Sequence, residues 1–294
     1  MDLAKMTSSG SVAASWLRPI TGGAAPSLTR AGHVGYASRR LGELVQGRPP
    51  GITGHQWSSA LRETFDQVVC VAGSGRPVFA VQLAPPASAG SAGRRTERMT
   101  SVVCAAVGLP LLRVESAALR GAEHARCLVE YVIDARSYAA AGSGSETGHA
   151  VGFREIVGRL PDGRSGPVND LGALTRVAAV EAYVERRLVD PIVRGLHVQW
   201  TGGPAEGWSW LEVRPGRCLV ERVDLFVQRF SCGVDPGQLA EDLAAVAVGE
   251  RLRDLDAVEP SLVDRDELRD RVRRLAARRD EFDGGFAFDH LCAD

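Results

Sequence analysis

The stretch from residue 66 to residue 116 constrains the fold more than any other part of the chain. VVCVA (68–72) is an apolar run of strand length, and PVFAVQL (77–83) is a second. Between them GSGR (73–76) is a tight turn whose glycines take positive φ without steric cost. After a loop over 84–96, ERMTSVVCAAVG (97–108) fits a helix that stops at Gly108, and LPLLRVES (109–116) returns as a third strand. A hairpin followed by a helical crossover builds a mixed sheet with helices on its faces, so the expected class is α/β.

Composition divides the rest. Residues 1–28, rich in Ser, Gly, Ala and Thr, read as a disordered tail. Residues 29–139 form the α/β core, opened by a helix over 29–47 and a short helix or turn over 57–65, and closed by an amphipathic helix over 119–139. Residues 140–167 read as flexible linker and loop. An α+β portion is expected over 168–258: a helix over 171–189 capped by Asp170, strands at 196–200, 208–213 and 218–230, and a helix over 236–253. A charged helix over 261–281 and a short tail fill 259–294.

The 35 Lys+Arg against 36 Asp+Glu leave no net field to draw nucleic acid or an anionic membrane to the whole molecule. Lys5 is the only lysine, so no expected ordered segment offers a catalytic one. The longest apolar run, Val102 to Leu112, is broken by Gly108 and Pro110 and is too short to span a bilayer. The N-terminus lacks the apolar core of a signal peptide. The six cysteines form no C-x-x-C pair, which suits a reducing, cytoplasmic setting without disulfides. No Walker A sequence, Rossmann fingerprint, H-E-x-x-H or G-x-S-x-G occurs.

Asp66, the turn Gly75-Arg76-Pro77, the strand Val78 to Leu83 and the run Gly108 to Val114 resemble an uncharacterised bacterial domain family of the PD-(D/E)XK, or restriction-endonuclease-like, nuclease superfamily. The resemblance implies a core in which carboxylates at adjoining strand ends hold Mg²⁺, which polarises a phosphodiester and generates a nucleophilic water. It makes Asp66 the first carboxylate and a weak metal ligand. It puts Gln82 where the family has Glu, and Arg113 where the family has Arg on the third strand. The family's helical Asp–x–x–Lys falls on Glu97 to Thr100, where only Glu97 keeps a useful charge. Asp66, Gln82 and Arg113 therefore read as a vestigial catalytic set, because a neutral amide is a poor ligand for a hard cation. The expectation is a degenerate member without a cofactor, serving as a nucleic-acid-binding or protein-assembly module. Two alternatives stay open: an active Mg²⁺-dependent nuclease with a relocated carboxylate, Glu115 or Glu63, and a lineage-specific structural or regulatory protein unrelated to nucleases.

Other constellations are weaker. His124 and Cys127 stand one helical turn apart, half of a zinc site with no second half of recognisable spacing. Trp200, Trp208 and Trp210 more often fill a core than form a stacking platform for bases. In the last helix Leu268, Val272 and Leu275 make a thin stripe suited to one neighbouring element or to a homodimer. Its seven arginines are interleaved with acids and read as a solvated face, with nucleic acid the less common partner.

Overall fold

A computed structural model describes residues 16–21, 25–86, 91–142, 152–161, 163–258 and 261–284. They form the expected α/β class, a mixed sheet flanked by helices. The chain divides into two compact units. The first takes Met1–Val114, Arg120–Ser137 and Phe226–Cys232; the second takes Glu115–Leu119, Tyr138–Leu225 and Gly233–Asp294.

In the first unit β1 (Leu28–Arg30), β2 (His33–Arg40), β3 (Thr64–Val71), β4 (Pro77–Ala84) and the Leu111–Val114 part of β5 (Leu111–Ser116) are neighbours in that order. Its helices are α1 (Leu41–Leu44), α2 (Gly54–Ala60), α3 (Ser91–Val107) and most of α4 (Ala122–Gly142). The β3–β4 hairpin falls where the glycine turn puts it. Gly75 has φ +64°, and a Cβ there would stand 2.4 Å from the Ile20 carbonyl oxygen, so both conformation and space require glycine. Val68, Cys70, Ala80 and Leu111 close one core with Val103, Cys104 and Val107 of α3.

The helix expected over 29–47 is a correction. The segment is the β1–β2 hairpin, turning at Ala31 (φ 44°) and Gly32 (φ 75°), and only Leu41–Leu44 is helical. β2 runs along β3 from His33↔Val71 to Arg40↔Thr64. That ladder outweighs a helical pattern already weakened by glycines, and Val34 and Tyr36 suit a sheet. Part of the expected tail is also tied down. Leu17 is buried and bridges Val45, while the Ile20 N–H donates to the Gly75 carbonyl at 2.9 Å. α2 starts earlier than expected, at a capping box in which Thr53 and Gln56 satisfy each other's backbone N–H.

The second unit holds a small hairpin, β6 (Val157–Arg159) with β7 (Ser165–Pro167), inside the stretch expected to be loop. Then come α5 (Ala173–Val184), β8 (Arg194–Gln199), β9 (Ala205–Arg214), β10 (Arg217–Gln228), α6 (Pro236–Leu252), α7 (Leu255–Val258), β11 (Val263–Asp264) and α8 (Arg265–Ala276). β8, β9 and β10 pair antiparallel in the order β10-β9-β8, with β11 on β10. Alternation sorts β9. Leu211 and Val213 join the core formed with Val248 and Leu252 of α6, whereas Trp208 and Trp210 join Leu268, Val272 and Leu275 of α8. The apolar stripe of the last helix is thus spent on its own unit: Leu268 and Val272 are fully buried. Of the two roles expected for this stripe, packing on a neighbouring element is the one it fills.

α6 lies directly on β9 at Gly207, where a Cβ would stand 2.1 Å from the backbone carbon of Ala240 and 2.2 Å from the nitrogen of Glu241. Backbone cannot yield as a side chain does. Gly207→Ala is therefore expected to destabilise the protein by about 3 kcal/mol or more, read as a lower urea midpoint; an unchanged midpoint would show that α6 is free to move away. Among the described residues no helix is long and apolar enough to cross a membrane.

Candidate functional site

The first unit brings the three expected residues to one side of its sheet. By two-residue alternation Asp66 shares a face with Val68, Gln82 with Ala80 and Arg113 with Leu111, and those three apolar residues belong to the core under α3. All three polar groups already have internal partners. Asp66 Oδ2 accepts the Leu83 backbone N–H at 2.7 Å, and burial pushes its carboxyl above the usual range against the pull of that bond. Gln82 Nε2 donates to Glu63 Oε2 at 3.4 Å. Arg113 is buried, stands 3.5 Å from Glu97 Oε2, and lies 4.3 Å above the Phe226 ring. A divalent cation needs several free anionic oxygens, and these residues do not fit one: one carboxylate is bound to backbone and its neighbour is an amide. Among the described residues no three His, Cys, Asp or Glu side chains are placed to hold a metal. His124 donates from Nδ1 to the Arg120 carbonyl at 2.5 Å, and Cys127 contacts Glu123 at 3.6 Å, which is ordinary helix-surface bonding.

The second unit carries a cleft of about 620 Å³ whose lining includes Trp200, Glu206, Trp208, Arg222, Arg271, Arg274 and Arg278. Glu206 lies at its base, 3% exposed. Its Oε1 accepts the Trp208 indole N–H and its Oε2 the Trp200 indole N–H, both at 2.7 Å, and Arg222 Nε is 3.1 Å from Oε1. Both oxygens of a buried carboxylate are satisfied, so two indoles are fixed in place. Arg278 lies 4.2 Å above the Trp200 ring, and Phe282 meets that ring edge-on at 4.7 Å. Trp210 and Trp208 are core, as expected from the sequence; Trp200 is half-buried and faces the arginines.

A second cleft of about 950 Å³ in this unit is lined by Tyr138, Phe153, Arg154, Asp170, Arg176, His197, Asp235 and Gln238, among others. His197, on β8, meets Glu241 of α6 at 2.7 Å through Nδ1 and stands 4.0 Å from Asp235. The Glu241 hydrogen bond raises its pKa against the effect of burial. Asp170 does not cap α5 as expected: the N-cap is Gly172, with no side-chain hydrogen bond, and Asp170 instead accepts the Gly172 N–H at 2.9 Å in the turn before the helix and binds Arg176 at 2.7 Å. Behind them Asp242 is 1% exposed. Arg154 Nη2 stands 2.7 Å from its Oδ1, off the line of a hydrogen bond, so neither carboxyl oxygen has a hydrogen bond among the described residues.

No family model, curated protein or solved structure matches the chain. The resemblance to nucleases thus stands on its residues alone. Sequence reasoning missed both clefts of the second unit. The traceable signal for the first was the spacing of Arg271, Arg274 and Arg278, which places them along one side of α8 and its C-terminal turn.

Burial pushes Asp242 up to about 7, with Arg154 and Arg176 opposing and Asp170 and Glu241 adding to the rise. The folded protein then keeps a proton that the unfolded chain loses near its ordinary value of about 3.9. Stability contributed by this proton is present at low pH and lost as pH rises through that window. Wild type should lose stability relative to Asp242→Asn between pH 4 and 7, by up to about 1.4 kcal/mol per pH unit, in urea titrations at stepped pH. Parallel curves would show that Asp242 is ionised throughout.

Proposed function

We propose that this protein is a non-cutting relative of PD-(D/E)XK nucleases that binds nucleic acid. The observation that carries the non-cutting half is the hydrogen bond from the Leu83 N–H to Asp66. The oxygen that the resemblance assigns to a metal is engaged within the sheet, and the adjoining position offers only the Gln82 amide. Glu63, one candidate for a relocated acid, is the partner of that amide. Arg113 acts as a structural cation, sandwiched between Glu97 and Phe226. The binding half is supported by the four arginines gathered around fixed indoles in the second unit, which offer what phosphates and bases bind.

Incubation with plasmid and with single-stranded DNA, in Mg²⁺ or Mn²⁺, separates the readings. The expected outcome is retention of nucleic acid that weakens steeply with salt, and no new ends. Cutting that disappears in Asp66→Ala would overturn the proposal in favour of an active nuclease. Absence of both retention and cutting would overturn it in favour of a structural or regulatory protein.

A further inference from the structure

We infer that the arginine–tryptophan cleft between β10 and α8 takes a single strand of nucleic acid, its phosphates on the arginine row and a base against the Arg278–Trp200 stack. The inference rests on the nucleic-acid reading above and names the site and the form of the ligand.

The row has a length. Arg271, Arg274 and Arg278 lie at i, i+3 and i+7, so at 1.5 Å per residue they extend over about 10 Å. A single phosphate does not reach along such a row; successive phosphates of a strand do. Arg222 faces the row from β10.

The row also has unused donors. Arg271 binds Glu267 through Nε and Nη2, and Arg278 binds Glu281 through the same two nitrogens. Arg222 likewise uses Nε and Nη2, on Asp224 and Glu206. In each of these three, Nη1 has no hydrogen bond among the described residues. Arg274 is exposed and has no ion pair or hydrogen bond among them. Acids therefore hold three of the four guanidinium groups and leave the Nη1 of each unused, which is how arginine is presented to a phosphate.

The floor does not repel an anion. Glu206 is buried beneath two indoles and Arg222, which offset its charge. Arg278 Cζ stands 4.2 Å from the centre of the Trp200 ring, and a guanidinium backed by an indole is a surface on which a splayed base stacks. At about 620 Å³ the cleft matches the size of small-molecule pockets, enough for a nucleotide unit and not for a double helix about 20 Å across.

The test uses the full chain in EDTA, with a fluorescein-labelled oligothymidylate followed by anisotropy across a salt series. Arg274→Ala and Arg271→Ala are each expected to weaken binding several-fold and to reduce the salt slope by roughly one. Arg273→Ala, on the same helix but outside the cleft, is expected to leave both unchanged. Circular dichroism checks that all three variants are folded. If wild type binds the oligonucleotide and the cleft variants bind equally well, the cleft assignment is overturned while the nucleic-acid reading survives. If wild type binds neither single strand nor duplex at low salt, that reading fails and takes the inference with it. Preference for duplex over single strand, or binding of a nucleoside triphosphate without binding of the oligonucleotide, overturns the strand assignment.

Discussion

A carboxylate removed from water must find its donors inside the protein, and this requirement shapes both units. The cost of leaving it unpaired is several kcal/mol, more than most single contacts return. Glu206 meets the requirement with two indole N–H groups and a guanidinium. Asp66 meets it in part with a backbone N–H from the neighbouring strand. In the first case the result is a rigid aromatic floor. In the second it is a carboxylate with one oxygen engaged by the sheet backbone. Asp242 is the exception: an arginine is near but misaligned, and burial pushes its carboxyl up to about 7.

Close backbone contact places the acids of the second unit. Gly207 lets α6 rest on β9, and Gly195 on β8 leaves room for the side chain of Glu241. The same contact sets His197 beside Glu241. On the opposite face the two tryptophans of β9 fill the space under α8, which fixes where the arginines beside its apolar stripe point. The two cores, one on each face, thus follow from the alternation of a single strand.

That alternation is also what made much of the fold legible. The β3–β4 hairpin, α3, β5, the three strands at 194–228 and α6 all have strong periodicity or strong turn chemistry, and they lie close to where the residues put them. The segment 28–40 misled because its glycines weaken any local pattern; β2 exists through pairing with β3, a partner distant in sequence, and β1 through pairing with β2. The three residues suggested by resemblance do share a sheet face, which periodicity alone implies, but their partners were hidden. Glu97 reaches Arg113 from a helix, and Phe226 comes from a far later strand. The arginine cleft was illegible for a similar reason. Each arginine of the row, Arg271, Arg274 and Arg278, has an acid one turn away in sequence, which reads as a solvated face, and neither Arg222 nor Glu206 is near it in sequence.

Titration of Mn²⁺ followed by its EPR signal tests internal satisfaction of the carboxylates most directly, since free and protein-bound ion are read separately and no activity is needed. With the acids of the first unit engaged as described, the free-ion signal should rise in step with added metal, for wild type and Asp66→Asn alike. Loss of signal equivalent to one bound ion per chain, abolished in Asp66→Asn, would contradict it.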